Sequence, residues 1–313
     1  MSAGQQFTER YLKAMFANLK DATPEQVQEE LEHCRKINSK PVRVPRLHRG
    51  HFSETRFEAA NGFVMQVFST EPWRDPERVI LYLHGGACIY QPVFFHWRFV
   101  YDLALRTHCR VIMPIYPKYP EYHCVDNMAV MMDFYERAMM PMGVKDVVLM
   151  GDSFGANMAM SMTQEIAKRG LLPVSSLVLM SPCVDNAFTR REAMVALQPL
   201  DAMIKLERIE QIMGGWQGAL PSTHPWVSPI YGNLKAFPAD TLLVYGSHEI
   251  LKVDALLLTE RMHELGLPIR SLEYPGMFHT FPLFPVKEGF AALRSITKTI
   301  YPASPPSASL SQG

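Results

Sequence analysis

The sequence predicts an α/β fold in which a mostly parallel sheet is covered by helices. From residue 78 onward, six short apolar and β-branched runs alternate with longer helical segments. Continuous apolar runs of this kind are typical of strands buried on both faces, as in parallel sheets. The predicted strands are 79–83, 111–115, 147–150, 177–180, 242–245 and 269–274.

The composition of the 313-residue chain excludes several classes of protein. Lys and Arg together number 31, as do Asp and Glu, so the formal net charge is zero. Nucleic-acid binders and membrane-surface proteins normally carry a basic excess, so we expect neither kind of partner. The chain also lacks a long apolar stretch, a signal-peptide pattern and metal-ligand spacing among its five cysteines. We therefore expect a soluble, cytoplasmic protein that needs no metal or other cofactor.

The segment before residue 78 predicts two helices and a hairpin. A second helix begins at Thr23-Pro24-Glu25-Gln26, where Thr can cap the helix and Gln occupies the capping-box position. Asn61-Gly62, between two short β-rich runs, is the dipeptide that best suits a tight hairpin turn. The first helix is predicted from apolar residues at helical spacing, namely Phe7, Tyr11, Met15 and Leu19.

An insert of about residues 186–227 follows the fourth predicted strand and is longer than a crossover needs. It contains a helix predicted to begin near Asp201 and to stop at Gly214-Gly215. We expect the insert and the N-terminal helices to form a helical cap over the sheet. The predicted organisation is cap helices in 1–45, the core in 46–185 and 228–302, the cap insert in 186–227, and a disordered tail in 303–313.

A nucleophile is predicted in the segment Gly151-Asp152-Ser153-Phe154-Gly155. This segment directly follows the predicted strand 147–150 and opens an apolar helical stretch. It is the G-x-S-x-G pattern in the context that the pattern requires, where a strained turn exposes the Ser hydroxyl at a helix N-terminus. The flanking glycines relieve crowding in that turn. We predict that Ser153 is the nucleophile and that Asp152 orders the turn.

A second group of residues, His84-Gly85-Gly86-Ala87, follows the predicted strand 79–83. Acyl transfer passes through a tetrahedral oxyanion, which needs preorganised hydrogen-bond donors. Consecutive small residues after a strand let backbone amides approach the reacting oxygen closely, so this loop is a candidate donor site. A plain Gly-Gly turn is the alternative interpretation. His84 is predicted to order the loop rather than to act as a base.

A serine hydroxyl is a weak nucleophile and needs an imidazole to take its proton. Among the eleven histidines, His279 is preferred because it lies in the loop after the last predicted strand. The carboxylate that orients this imidazole should lie just past the strand 242–245, where both Glu249 and Asp254 occur. Glu249 is favoured because it is in the loop, whereas Asp254 should lie on the following helix as first-turn charge.

Together these motifs resemble the α/β-hydrolase superfamily, and within it the hormone-sensitive-lipase-like carboxylesterases. The resemblance spans nearly all of residues 78–290. Besides the groups already named, it depends on Tyr116-Pro117 with Pro120-Glu121, Asn157, Ser181-Pro182, Ser228-Pro229, Gly246-x-x-Glu249-x-Leu251 and His279-x-Phe281.

The resemblance implies an α/β-hydrolase fold with a catalytic triad and an oxyanion hole. The triad would be Ser153, Glu249 and His279. The oxyanion hole would consist of the backbone amides of Gly86, Ala87 and Phe154, supported by Gly85. Ala87 stands where the family has a third glycine, and its methyl group is expected to narrow the acyl site. Glu249 stands where Asp is commoner in the family.

We therefore expect a serine carboxylic-ester hydrolase that forms an acyl-enzyme and acts on small apolar esters with short to medium acyl chains. Two alternatives stay open: a peptidase or amidase on the same fold, and a catalytically silent receptor that binds a ligand. A homodimer formed through an edge strand is a further expectation. The apolar substrate is favoured by predicted cap residues, namely Phe7, Tyr11, Phe16, Ile204 and Met213.

Overall fold

The fold is built on one sheet of eight strands, seen in a computed structural model that describes residues 23–301. The predicted helix at 7–19 and the predicted tail at 303–313 lie outside the described residues. The strands are β1 Phe52–Glu58, β2 Val64–Thr70, β3 Asp75–Leu83, β4 Cys109–Pro114, β5 Asp146–Asp152, β6 Val174–Met180, β7 Asp240–Gly246 and β8 Arg270–Tyr274. Their order across the sheet is β1-β2-β4-β3-β5-β6-β7-β8.

The six strands predicted from apolar runs are all present, and each is parallel to its neighbours among them. The α/β prediction is therefore confirmed. The predicted hairpin is present as well, because β1 and β2 pair antiparallel around a turn in which Gly62 has φ +83°. Glycine adopts that conformation without strain. Because the parallel strands end at the same edge of the sheet, the loops that follow them meet there.

Helices cover both faces of the sheet. Successive strand residues point to opposite faces, so Ile80 packs on one side and Leu81 on the other. The helices are α1 Pro24–Asn38, α2 Phe94–Thr107, α3 Cys124–Phe134, α4 Phe154–Lys168, α5 Arg191–Leu197, α6 Leu206–Trp216, α7 Lys252–Glu264 and α8 Lys287–Ile300. The face that contains Leu81 is covered by α3, α4 and α7, and the face that contains Ile80 is covered by α2 and α8.

The predicted start of α1 is confirmed, and the helix contacts the insert. Thr23 and Gln26 form the capping box, each side chain accepting a hydrogen bond from the backbone N–H of the other. Further along α1, Glu30 forms an ion pair with Arg208 of α6, and both side chains are about nine-tenths buried. The N-terminal segment and the insert are therefore in direct contact, as the cap prediction requires.

The insert departs from the sequence prediction at its main helix. The Asp201 carboxylate accepts hydrogen bonds from the N–H groups of Met203 and Ile204, both at 2.8 Å, so it forms a turn ahead of the helix. The helix α6 itself begins at Leu206. Gly215 does not stop the helix. It is a packing position, since an added Cβ would lie 2.2 Å from the Tyr119 hydroxyl.

Three further features of the described chain concern the length of its helices, its cysteines and the edges of its sheet. Within residues 23–301, no helix has both the length and the apolar character that a membrane crossing demands. All five cysteines are buried free thiols. The edges of the sheet are β1 and β8, so the homodimer through an edge strand stays a prediction that concerns these two strands.

Candidate active site

Ser153 lies at a sharp turn between β5 and α4. Its backbone has φ +52°, a strained conformation for a residue with a side chain. Two glycines permit the turn. A Cβ on Gly155 would lie 1.9 Å from the carbonyl oxygen of Leu83, and one on Gly151 would lie 2.4 Å from that of Gly155. The strand β3 and the two ends of the turn therefore approach each other more closely than side chains would allow.

A cavity of about 620 Å³ lies over this turn. Four predicted site residues line it, namely Ser153, His279, Gly86 and Ala87. The structure thus brings together residues from the ends of β3, β5 and β8, which are distant in the sequence. The walls are mostly apolar and include Phe94, Phe95, Met203, Ile204, Ile212 and Phe284.

The cavity wall differs in part from the predicted apolar cap. Ile204 lines the cavity, but Met213 is buried in the core on the α6 side and does not line it. Helical spacing alone does not tell which apolar face of the helix meets the core. The aromatic wall at Phe94 and Phe95 was not predicted, although its signal is the aromatic pair a few residues after the Gly-Gly loop. The predicted contacts at Phe7, Tyr11 and Phe16 lie outside the described residues.

His279 and Glu249 form a buried hydrogen-bonded pair. The distance between His279 Nδ1 and Glu249 Oε2 is 2.6 Å, and Glu249 is fully buried. The other carboxylate oxygen accepts hydrogen bonds from Gly246 N at 2.7 Å and Ser181 Oγ at 2.9 Å. An ionised carboxylate only accepts, so Nδ1 carries the proton and Nε2 of a neutral ring is free to take one. This is the form that a general base needs.

The charges around His279 oppose the effect of burial on its pKa. Burial by itself lowers the pKa of His279, but the hydrogen bond and charge of Glu249 raise it, and the charges of Asp201 and Asp152 add to that effect. The pKa of His279 is consequently raised above its ordinary value. The same charges stabilise an imidazolium after it has accepted a proton.

Asp254 has a different position from the one that the alternative acid would need. It lies on α7, is buried, and its Oδ2 accepts hydrogen bonds from Val184 N at 2.6 Å and Asp185 N at 3.2 Å. It is in the first turn of that helix, as predicted, and it also holds the chain after β6. Burial raises the pKa of Asp254 to about 7. Of the two candidate acids, the structure places Glu249 on His279.

The loop after β3 presents backbone amides. Gly86 and Ala87 both have positive φ, +114° and +47°. No hydrogen bond among residues 23–301 uses the N–H of either residue, and Phe154 N, at the start of α4, has no helical partner. Gly85 has another task, since its N–H donates to Asp152 Oδ1 at 2.9 Å. Gly86 and Ala87 line the cavity, whereas Gly85 and Phe154 are not among its lining residues.

Asp152 connects the turn at Ser153 to that loop. Besides Gly85 N, its Oδ1 accepts a hydrogen bond from Tyr82 Oη at 2.5 Å, and its Oδ2 lies 3.4 Å from His96 Nε2. A Cβ at Gly85 would meet the Asp152 carboxylate at 2.3 Å, so glycine is needed there. Asp152 therefore orders more of the structure than the turn predicted from the sequence.

Two residues at the site had no predicted role there. Ser181 donates to Glu249 and accepts a hydrogen bond from Thr280 N at 3.0 Å, so it joins the loop of the acid to the loop of His279. Asp201 accepts from Ile250 N at 2.8 Å, next to Glu249. In the sequence, Ser181-Pro182 is only part of the family resemblance. Asp201 had no signal in the sequence, because its partner is 49 residues away.

The sequence of this chain is similar to a known family and to a known esterase. A model of the alpha/beta hydrolase fold family matches residues 80–283. An esterase of Acinetobacter venetianus is 30% identical over 217 residues, which cover 66% of this chain and 68% of that protein.

Solved structures show the same fold. A proposed esterase from Staphylococcus aureus superposes with a TM-score of 0.82 at 28% identity, covering 90% of this chain and 94% of its own. A hormone-sensitive lipase from a metagenome library superposes with a TM-score of 0.77 at 21% identity, covering 95% of this chain and 97% of its own. At that lower identity the likeness extends to the fold alone.

Glu249→Gln removes the charge that holds up the pKa of His279. We expect kcat on an ester substrate to fall by about 10²–10⁴, because the imidazolium loses its stabilising partner. The acid limb of the kcat/KM profile should move to lower pH, because the base must be neutral and its pKa falls. Asp254→Asn is the matched control and should leave the limb in place. If the acid limb moved in Asp254→Asn and not in Glu249→Gln, Asp254 and not Glu249 would be the carboxylate that acts on His279.

Asp254→Asn should change the pH dependence of stability. The folded protein holds a proton on Asp254 up to about pH 7, whereas the unfolded chain releases it near pH 4. Between these values the folded state binds more protons, so its free energy of unfolding falls as pH rises. Urea titrations at several pH values should show that the free energy of unfolding of Asp254→Asn does not fall in this way over the same pH range. The exposed control Asp240→Asn should retain the wild-type dependence of the free energy of unfolding on pH. The same dependence in both variants would contradict the assignment.

Proposed function

This chain belongs to the alpha/beta hydrolase fold family, and we propose that it hydrolyses carboxylic esters through an acyl-enzyme formed on Ser153. The observation that carries the proposal is the arrangement in one cavity of a strained Ser, a buried His–Glu pair and unpaired backbone amides. The esterase relative from Acinetobacter venetianus supports ester hydrolysis as the reaction.

Acylation follows from the positions of these groups. Ser153 Oγ attacks the ester carbonyl while His279 Nε2 takes its proton, and Glu249 stabilises the resulting imidazolium. The carbonyl oxygen becomes an oxyanion, which accepts hydrogen bonds from the amides of Gly86, Ala87 and Phe154. His279 then returns the proton to the alkoxide leaving group, so that an alcohol departs.

Deacylation uses the same groups in reverse. A water molecule attacks the acyl-enzyme while His279 Nε2 takes its proton, and the oxyanion again forms against the backbone amides. Collapse of the intermediate releases the carboxylic acid, and the proton on His279 returns to Ser153 Oγ. All proton transfers thus use one nitrogen, which is why the hydrogen bond at Nδ1 must persist through both halves.

The proposed substrate is an apolar ester with a short to medium acyl chain. The cavity is large enough for a small molecule, and its walls are predominantly aromatic and aliphatic. Ala87 adds a methyl group at the rim of the oxyanion loop, which limits the room beside the carbonyl carbon. A receptor that binds a ligand without catalysis is disfavoured, because His279 lines the cavity and is already hydrogen-bonded to Glu249.

Ser153→Ala should strongly reduce turnover of a short-chain nitrophenyl ester, because the variant lacks the attacking oxygen. The decrease in kcat should be about 10³-fold or more. A fluorophosphonate probe should label the wild type and spare the variant. The exposed Ser39→Ala serves as the control and should behave as wild type. Turnover and labelling that survive in Ser153→Ala would remove the nucleophile assignment.

A series of nitrophenyl esters from acetate to laurate tests the substrate class. We expect kcat/KM to be highest for the short and medium chains, because the cavity of about 620 Å³ must hold both the acyl and the alcohol parts. Highest activity on laurate would contradict this expectation. A matched nitroanilide panel distinguishes the amidase alternative, which predicts faster hydrolysis of the amide than of the ester.

A further inference from the structure

A buried lysine lies directly behind the oxyanion loop. Lys118 follows β4 and is only 4% exposed. Its Nζ donates to the carbonyl oxygen of Tyr116 at 2.8 Å, lies 3.2 Å from the centroid of the Tyr116 ring, and lies 3.2 Å from His84 Nε2. No carboxylate of the described chain forms an ion pair with it. Burial lowers the pKa of Lys118 well below its usual range, because a buried ammonium is costly unless the protein solvates it well. The side-chain nitrogen keeps N–H groups to donate in either protonation state. A lysine at this position therefore calls for an explanation beyond packing.

The partners of His84 define where its proton lies. His84 Nδ1 is 2.6 Å from the carbonyl oxygen of Gly85, which can only accept a hydrogen bond, so Nδ1 must carry a proton. Burial, together with the charge of Lys118 and the nearby His96, lowers the pKa of His84 well below its usual range. The ring is therefore neutral, Nε2 is bare, and Lys118 is the donor to it. The lysine thus favours one of the two tautomers.

That tautomer sets the direction of one peptide group. The carbonyl of Gly85 and the N–H of Gly86 belong to the same trans peptide, so they point in opposite directions. With the carbonyl turned towards the His84 ring, the N–H of Gly86 is turned away from it, and Gly86 lines the cavity. The peptide before it is also held, since Tyr116 Oη donates to the carbonyl oxygen of His84 at 2.6 Å.

We propose that Lys118 is a positioning residue of the oxyanion hole. By donating to His84 Nε2 it keeps the proton on Nδ1, where the ring holds the Gly85–Gly86 peptide with its N–H directed at the developing oxyanion. The inference rests on the proposed ester hydrolysis and extends it to a side chain that does not line the cavity of Ser153 and His279. Lys118 acts here through His84 and does not touch the substrate.

Lys118→Met keeps the length and bulk of the side chain and removes the donor. We expect kcat on a short-chain ester to fall by about 10–100-fold, less than the 10²–10³ typical of losing an oxyanion donor outright, because the Gly86 amide is misdirected and not absent. KM should stay within about twofold. The control Lys235→Met, at an exposed position outside the site, should retain the wild-type kcat.

The nitrogen shifts of the His84 ring, measured by NMR on uniformly ¹⁵N-labelled protein, test the tautomer without any turnover. The wild type should show the proton on Nδ1, and Lys118→Met should show a mixture of both tautomers or the Nε2 form. If the wild type hydrolyses no ester, the proposed function fails while this measurement still decides the role of Lys118. An unchanged tautomer in Lys118→Met would overturn the proposal, even if the melting temperature falls, because packing alone would then explain the residue.

A double-mutant cycle adds a second criterion. His84→Ala removes the ring through which Lys118 is proposed to act, so adding Lys118→Met to it should cost little further kcat. Strong non-additivity of this kind is expected for residues that act as one unit. If the fold-decrease in kcat of the double variant equalled the product of the two single decreases, Lys118 would act independently of His84. That result would overturn the proposal.

Discussion

The buried carboxylate of Glu249 is the group on which the geometry of the site depends. A charge without exposure to water has to be met by hydrogen bonds, and leaving one uncompensated costs several kcal/mol. Here the compensation comes from Gly246 N, Ser181 Oγ and His279 Nδ1, which belong to three different loops. The ends of β6, β7 and β8 are consequently held in one arrangement. The orientation of the imidazole is therefore a result of satisfying a buried charge.

A second buried carboxylate, Asp152, performs the corresponding task on the other side of Ser153. It accepts hydrogen bonds from the end of β3 and from the loop that follows, and it precedes the proposed nucleophile in the chain. The proposed acid–base half and the proposed oxyanion half of the site are thus organised around separate carboxylates. Ser153 lies between them, and the close approach of β3 to Gly155 fixes its distance from both.

The cap is tied to the same framework by polar contacts. Asp201 accepts hydrogen bonds within the insert and from Ile250, so the insert is attached beside the loop that carries Glu249. Glu30 and Arg208 connect α1 to α6 over the cavity. Because part of the cavity wall comes from α1 and the insert, the shape of the cavity depends on them, whereas the positions of Ser153 and His279 depend on the sheet.

By itself, the sequence determined the parallel sheet, the hairpin, the turn at Ser153 and the order of the site motifs. These features are local, since strand runs, glycine spacing and caps are set by residues within a few positions of each other. The tertiary structure placed the favoured Glu249 on His279, displaced the predicted start of α6, and gave Ser181, Asp201 and Lys118 their positions. The bonds that connect these residues to distant parts of the site join positions 34 to 99 apart in the chain. No local pattern encodes such contacts, because they form only when the folded sheet brings its loops to one edge.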